Sequence, residues 1–363
     1  MYRTFGFIGL GLIGGSIARS LRLLYTDCRI LAFSRRTSPA GDISEAIRAG
    51  VVSDVVYSLN GLADCDIIFL CAPVEANISY LPTLSGLVSS HTLITDVGSV
   101  KSGICSAAKL AGISSRFIGG HPMTGSERNG FINSNALLLE NAYYALTPGE
   151  DCPWETLQSF TQLVNDMKAI PVVLEPKVHD DAVSAISHVP HLIAAQLVNL
   201  VRSSGNSDVM KLLAAGGFKD ITRIASSSPA LWEGILSSNK EFVLPTLYRY
   251  IDLLTESAHL LEEDDKSGVA ELFDTAGAFR STLGDRKGVL PESFALYADI
   301  KDETGAIARF ATLLAAAGIS MKNIGIVHNR EFERGVLRIE FYEKTSLEEA
   351  LTMLRQNGFT IYR

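Results

Sequence analysis

Short apolar runs alternate with helix-like stretches through the first half of the chain. "TFGFIGL", "RILAFS", "DIIFLCAP", "TLITDVG", "RFIGGH", "AYYALTP" and "IPVVLE", between Thr4 and Glu175, each have the length and β-branched or aromatic content of a strand. Strands separated by helical segments predict a parallel, doubly wound sheet, here assigned to residues 1–172. From Pro176 to Leu283 the pattern changes to long helical periodicity, which predicts an all-α domain over 173–285. Its most apolar part, Ala182 to Val201, contains His188, Pro190, His191, Gln196 and Asn199, and reads as a buried helix rather than a membrane span. "SFALYADIKD", "GAIARFATLLAAAG", "ISMKNIGIVHN", "GVLRIEFYE", "SLEEALTMLRQNG" and "FTIYR" then follow in the order β-α-β-β-α-β, the pattern of a ferredoxin-like α+β domain over 293–363. "GDRKGVLPES", 284–293, has the glycine, proline and charge content of a linker.

Length agrees with this division, since 363 residues exceed what one small core organises. A net charge of −8 and the lack of a dense basic run argue against a nucleic-acid groove, because phosphate binding needs clustered Lys and Arg. Five cysteines, an odd number without a C-x-x-C pair, point to reduced thiols and a cytoplasmic setting. The N-terminal "FGFIGLGLIGGSIA" is apolar enough to imitate a signal peptide, but it shows no small-residue cleavage site, and its glycine spacing has another explanation.

Gly9, Gly11 and Gly14 stand at G-x-G-x-x-G spacing, after an apolar strand and at the head of a helix opened by Leu12 and Ile13. This is the setting in which glycines permit a tight turn, close approach of a pyrophosphate and close helix–strand packing, with the helix N-terminus facing the phosphates. At the end of the second strand, where an acid would take the ribose 2′-hydroxyl of NAD, the chain reads Ser34, Arg35, Arg36. A hydroxyl and guanidiniums suit the 2′-phosphate of NADP, although two arginines solvating a surface loop explain the same residues. The cofactor expected is therefore NAD or NADP.

Further candidates lie beyond predicted strand ends, where open α/β sheets bind ligands. "CAPVE" places Cys71, Ala72 and Pro73 beside the dinucleotide, and "TDVGSVK" places Ser99 at a predicted helix start, as an N-cap, a catalytic group or both. In "GGHPMTGSE", His121 precedes a proline and is biased toward extended backbone; a neutral imidazole there can accept a substrate proton, or it is an ordinary polar turn residue. "SHVPH" offers His188 and His191 three residues apart, but no third ligand follows at a zinc-like spacing, so no metal is expected. In "GGFKDITRIASSSPALW", Arg223 is either a surface salt-bridge partner or a bidentate clamp for a carboxylate.

The motifs "GLGLIGGS", "DVGSVK", "GGHPMTGSE", "SHVPH" and "GGFKDITRIASSSPALW", in this order from residue 4 to about 285, resemble the prephenate dehydrogenase family of tyrosine biosynthesis, which includes arogenate dehydrogenases. The last 70 or so residues resemble an ACT domain, a small-molecule-binding regulatory unit. The resemblance implies oxidative decarboxylation of prephenate to 4-hydroxyphenylpyruvate with hydride transfer to NAD(P)+, or of arogenate to tyrosine. A catalytically silent ACT-domain sensor is the alternative from outside enzymology, and intact Ser99, His121 and Arg223 weigh against it. It further implies His121 as the base at the 4-hydroxyl, Ser99 as the group orienting that histidine, and Arg223 as the holder of the side-chain carboxylate. Ser126 and Glu127 would wall or gate the pocket, one of His188 and His191 would contact substrate, and Gly216, Ser227 and Trp232 would line the site, partly from the second subunit of a dimer. Helical domains would pair in a homodimer, and tyrosine would be the effector at the ACT domain.

Overall fold

The computed structural model describes residues 2–36, 38, 41–125, 128–283, 294–300, 303–328 and 335–362. The "GDRKGVLPES" linker and the pair Ser126 and Glu127 lie outside the described residues. The chain divides into two compact units, Met1–Thr275 and Ala276–Arg363.

The first unit opens with an eight-stranded sheet: β1 (Thr4–Ile8), β2 (Arg29–Phe33), β3 (Asp54–Val56), β4 (Ile67–Leu70), β5 (Leu93–Asp96), β6 (Phe117–Pro122), β7 (Tyr143–Pro148) and β8 (Ile170–Val173), in spatial order β3-β2-β1-β4-β5-β6-β7-β8. Seven of the eight match the apolar runs. The sequence does not signal β3, because a three-residue edge strand with only partly buried side chains carries too little periodicity. Nor is the sheet wholly parallel: β7 runs antiparallel to β6, pairing His121 with Ala145, and β8 pairs parallel to β7, so the last two strands run opposite to the other six. Among its described residues the β6–β7 connection contains only short 3-10 turns (Phe131–Asn133 and Ala136–Leu139), with no packed crossover helix, and the chain returns antiparallel.

Both faces of the sheet are covered, which is why its strands are apolar throughout. Phe5, Phe7 and Phe69 pack with Ile17, Leu21 and Phe160 on one face, the Phe7 and Phe69 rings stacking at 5.0 Å. Ile8, Ile68 and Leu70 pack with Leu81, Leu84 and Ile104 on the other. At the centre β1 lies between β2 and β4, so successive connections leave in opposite directions and open a crevice at the carboxyl ends of β1 and β4.

Helices follow from Pro176 to Thr282. The stretch expected as one buried helix is Pro176–Val183, a π-turn over Ser184–His188, and Val189–Arg202. The π-turn places Pro190 in the first turn of the following segment, where its missing N–H removes little. In the single chain this stretch is not buried: Ile186 and Leu200 are each 68% exposed, and apolar side chains on later helices, such as Leu213 and Phe273, are exposed too. Length and composition alone would let Pro176–Arg202 cross a membrane. Its inward face instead carries buried His179, Asp180 and His188.

The second unit contains a four-stranded antiparallel sheet in the order β10-β11-β9-β12, from β9 (Phe294–Ile300), β10 (Met321–His328), β11 (Gly335–Phe341) and β12 (Ile361–Tyr362). Helices Ala306–Ala316 and Lys344–Gln356 pack Phe310, Leu314, Leu347 and Leu354 onto Leu296, Ala298, Leu337 and Ile339.

Candidate active site

The crevice between β1 and β4 is shaped by backbone. Gly9 has φ +97°, and a Cβ there would lie 2.8 Å from the Cys71 carbonyl, so a side chain is excluded by conformation and by space. A Cβ on Gly14 would meet the Gly9 carbonyl oxygen at 2.6 Å, whereas the same position on Gly11 faces open space. Helix Leu12–Leu24 starts at Gly11 without a side-chain cap, which leaves N–H groups of its first turn, Leu12 and Ile13 among them, able to receive an anion. These features fit a dinucleotide pyrophosphate.

Across the crevice, the Cys71–Pro73 loop is fixed by Asn77. The Ala72 N–H donates to Asn77 Oδ1 (3.1 Å), and Asn77 Nδ2 donates to the Leu70 and Ala72 carbonyls (3.1 and 2.8 Å). Asn77 is fully buried, a fact the sequence does not reveal for an asparagine within a helix. Beyond β2, the Ser34 hydroxyl is engaged with the backbone of Arg36, while Arg35 and Arg36 are exposed.

The ends of β5 and β6 are tied by a buried ion pair between Asp96 and Lys101, both side chains 0% exposed. Lys101 Nζ also donates to the Gly120 carbonyl (2.8 Å), and Asp96 accepts from the N–H groups of Gly98 (2.8 Å) and Gly120 (3.1 Å). Both sides of the Gly120 residue preceding His121 are therefore held. Ser99 lies in the intervening loop rather than at a helix N-cap, since the helix runs Ser102–Leu110. Its N-terminus is capped from a distance: the Asp180 carboxylate accepts from the N–H groups of Lys101 (2.8 Å) and Ser102 (2.7 Å). Two adjacent N–H donors at a helix start make a carboxylate from the helical region a better cap than a neutral serine.

His121 Nδ1 is 2.8 Å from His179 Nε2, and His179 Nδ1 is 2.8 Å from Asp180 Oδ1. Among the described residues His121 is thus hydrogen-bonded to His179, while Ser99, to which the motif resemblance gives the orienting role, faces the same cavity. His179 was not identifiable from the motifs; in sequence it is one polar residue in "KVHDD" and its burial arises only on folding.

Ser99 and His121 face a cavity of about 460 Å³ whose opposite wall comes from the helices, including His188, His191, Arg223 and Trp232. Trp232 organises that wall: His191 stacks on it at 3.7 Å and His188 meets it edge-on at 6.0 Å. His191 Nδ1 donates to the Ser187 carbonyl (2.8 Å), and His188 Nδ1 accepts from Asn239 Nδ2 (3.0 Å). Ser227 also lines the cavity. Gly216, expected at a pocket built partly from the second subunit of a dimer, opens helix Gly216–Thr222 and is exposed in this single chain.

Burial pushes His121 well below the usual imidazole range, and His179, Lys101 and His188 add to the effect. Burial also takes His188 down to about 4 against the opposing pull of Asp180, and lowers His191, with Arg223 adding repulsion. These three imidazoles are therefore neutral at pH 7, and positive charge in the cavity wall comes from Arg223.

Residues 17–173 match the family model described as prephenate dehydrogenase, nucleotide-binding domain, and residues 175–275 match prephenate dehydrogenase, dimerization domain. The chain is 38% identical to a prephenate dehydrogenase of Bacillus subtilis over 352 residues, covering 94% of this chain and 92% of the relative. It is 33% identical to that of Lactococcus lactis subsp. cremoris over 360 residues, covering 98% of both. Among solved structures, prephenate dehydrogenase from Aquifex aeolicus in complex with hydroxyphenyl propionate and NAD+ superposes with a TM-score of 0.72 at 28% identity, covering 78% of this chain and 99% of that one. Arogenate dehydrogenase from Synechocystis superposes with a TM-score of 0.68 at 29% identity, covering 77% and 99%.

Proposed function

The chain belongs to the prephenate dehydrogenase family, and from that premise we propose that its cavity carries out the oxidative decarboxylation of prephenate to 4-hydroxyphenylpyruvate with NAD(P)+. The observation that carries the assignment of roles is the single cavity that joins a neutral, half-buried His121 near the end of β6 to Arg223 on the helices. Held along Gly9, Gly11, Gly14 and the Cys71–Pro73 loop, a nicotinamide dinucleotide supplies the hydride acceptor.

Prephenate is a dianion. Arg223 offers a planar fork for its side-chain carboxylate, and the neutral histidines around it leave recognition of charge to that guanidinium. His121 takes the proton of the 4-hydroxyl as the hydride leaves C4, and returns it to the same oxygen once the C1 carboxylate has left as CO₂ and the ring has become aromatic. No net proton is released, so the imidazole must be neutral at the start and is neutral again at the end. Trp232, stacked on His191, and Ser227 shape the apolar wall for the ring, and Ser99 faces it from the β5 loop. Residues 1–172 are read as the dinucleotide-binding domain and 173–285 as the substrate and dimerisation domain of a homodimer, with the exposed apolar helix faces as its contact. Five free cysteines suit a cytoplasmic enzyme.

The C-terminal unit is proposed as an ACT domain binding tyrosine. Its strand order supports this, as does a hollow of about 250 Å³ lined by Glu303, Arg309 and Phe359, where an amino acid's charged ends would find opposite charges beside an aromatic ring. Tyrosine added to the full-length enzyme is expected to lower turnover with prephenate in a saturable manner, and unchanged rates would remove the effector.

Absorbance of reduced nicotinamide, followed with prephenate and arogenate each crossed against NAD+ and NADP+, tests the reaction. Reduction is expected with prephenate, and the exposed Arg35 and Arg36 should allow NADP+ to serve beside NAD+. No reduction in any combination would overturn the function. Arg223→Ala should raise KM for prephenate about 10- to 100-fold with little change in kcat, the loss of about 1.5–3 kcal/mol expected for a charged hydrogen bond.

A further inference from the structure

We infer that His179 and Asp180 are positioning residues for His121, fixing its tautomer so that the ring nitrogen on the cavity side carries a lone pair. The inference deepens the proposed function and rests on His121 being the base.

Burial alone would raise the Asp180 carboxyl, but hydrogen bonds from His179 and from the Lys101 and Ser102 region outweigh burial and hold it below the usual carboxylate range. It is therefore an ionised group that only accepts. His179 Nδ1, 2.8 Å away, must donate to it. A neutral imidazole has one N–H, so once Nδ1 carries it, His179 Nε2 is an acceptor. That nitrogen lies 2.8 Å from His121 Nδ1, and two lone pairs at such a distance would repel, so His121 Nδ1 bears the hydrogen. The rings meet at 72° with centroids 5.1 Å apart, an edge arrangement suited to an N–H···N bond rather than stacking. In neutral His121 the remaining nitrogen, Nε2, then holds the lone pair and can take the hydroxyl proton.

The opposite order has a definite chemical signature. A cationic His179 would donate to both Asp180 and His121, which would move the His121 hydrogen to Nε2 and leave no acceptor for substrate. Among the described residues, the charged and titratable groups around His121 are Lys101, paired with Asp96, together with His179, His188 and, beyond His179, Asp180, with His191 and Arg223 across the cavity. When His121 takes up a proton, the Asp180 carboxylate at the far end of the bonded chain is the negative charge that favours it.

Asp180 also caps helix Ser102–Leu110, so the test is placed on His179. In the full-length enzyme, His179→Leu fills the space without an acceptor and is expected to lower kcat about 100-fold, as loss of a correctly poised base does, with KM for prephenate and for the nicotinamide cofactor within about twofold. His179→Gln returns a carboxamide oxygen to His121 Nδ1 and should recover at least about tenfold of that loss. In wild-type protein labelled with ¹⁵N-histidine, with signals assigned through His121→Asn, His121 should show a protonated Nδ1 and an unprotonated Nε2. A wild-type His121 carrying its hydrogen on Nε2, or a His179→Leu enzyme turning over within about twofold of wild type, overturns the inference. If His179→Leu does not fold, the wild-type nitrogen spectrum decides. Failure of wild type to oxidise prephenate would overturn the proposed reaction, while the spectrum would still report the tautomer.

Discussion

His121→Asn is expected to lower kcat by about 10²- to 10⁴-fold while changing KM for prephenate only a few-fold, since an asparagine keeps the polarity and approximate size of the site but cannot hold the proton. Steady-state kinetics on the purified variant measure this, and turnover within about fivefold of wild type would remove His121 from the role of base. The pH profile gives an independent check. The active form is the neutral imidazole, and burial beside His179, Lys101 and His188 pushes its protonation well below the usual range near 6.5. kcat/KM should therefore stay level as pH falls through 6.5 and decline only at more acidic pH. An acid limb centred near 6.5, and abolished in His121→Asn, would show a histidine that is not desolvated as the cavity geometry requires.

Lys101→Met is expected to cost about 3–5 kcal/mol of stability, because it leaves the Asp96 carboxylate uncompensated in a place with no access to water. The corresponding fall in Tm is on the order of 10 °C for a unit of this size. It should also impair turnover, since the Gly120 carbonyl loses its donor and His121 is the next residue on β6. Replacing the pair together, Asp96→Asn with Lys101→Met, should recover at least half of the lost stability, because the unpaired charge is gone. Calorimetric unfolding of wild type, Lys101→Met, Asp96→Asn and the double variant measures both the single effects and their coupling. A single variant as stable as wild type would show that the pair does not hold the β5 and β6 ends together.

The fold of the first unit was legible in large part because burial on both sheet faces imposes uninterrupted apolar runs, as in "IIFL" and "LITD", and a run of this kind survives in one dimension. Asp54–Val56 escaped because an edge strand packs too little to shape its composition. The antiparallel return of β7 escaped for another reason: strand direction depends on the route of the connection that precedes it, and no residue within the strand encodes it. Ser99 stands near a helix start in sequence, yet the helix is capped by Asp180, some eighty positions away, because a carboxylate satisfies several N–H donors at once.

By itself, the sequence determined the glycine-lined dinucleotide turn, the order of α/β, helical and C-terminal α+β segments, the family, and the residue types able to take a proton or clamp a carboxylate. Each of these depends on local backbone demands or on composition within one segment, such as the positive φ that Gly9 alone can adopt at the end of β1. Only the tertiary structure decided what makes His121 a neutral, oriented imidazole. Its partners Lys101, His179 and Asp180 come from the β5 loop and from the first helix after the sheet, and their effect depends on loss of water. Desolvation and hydrogen-bond direction are properties of a closed three-dimensional site, so they entered with the fold and not with the motif.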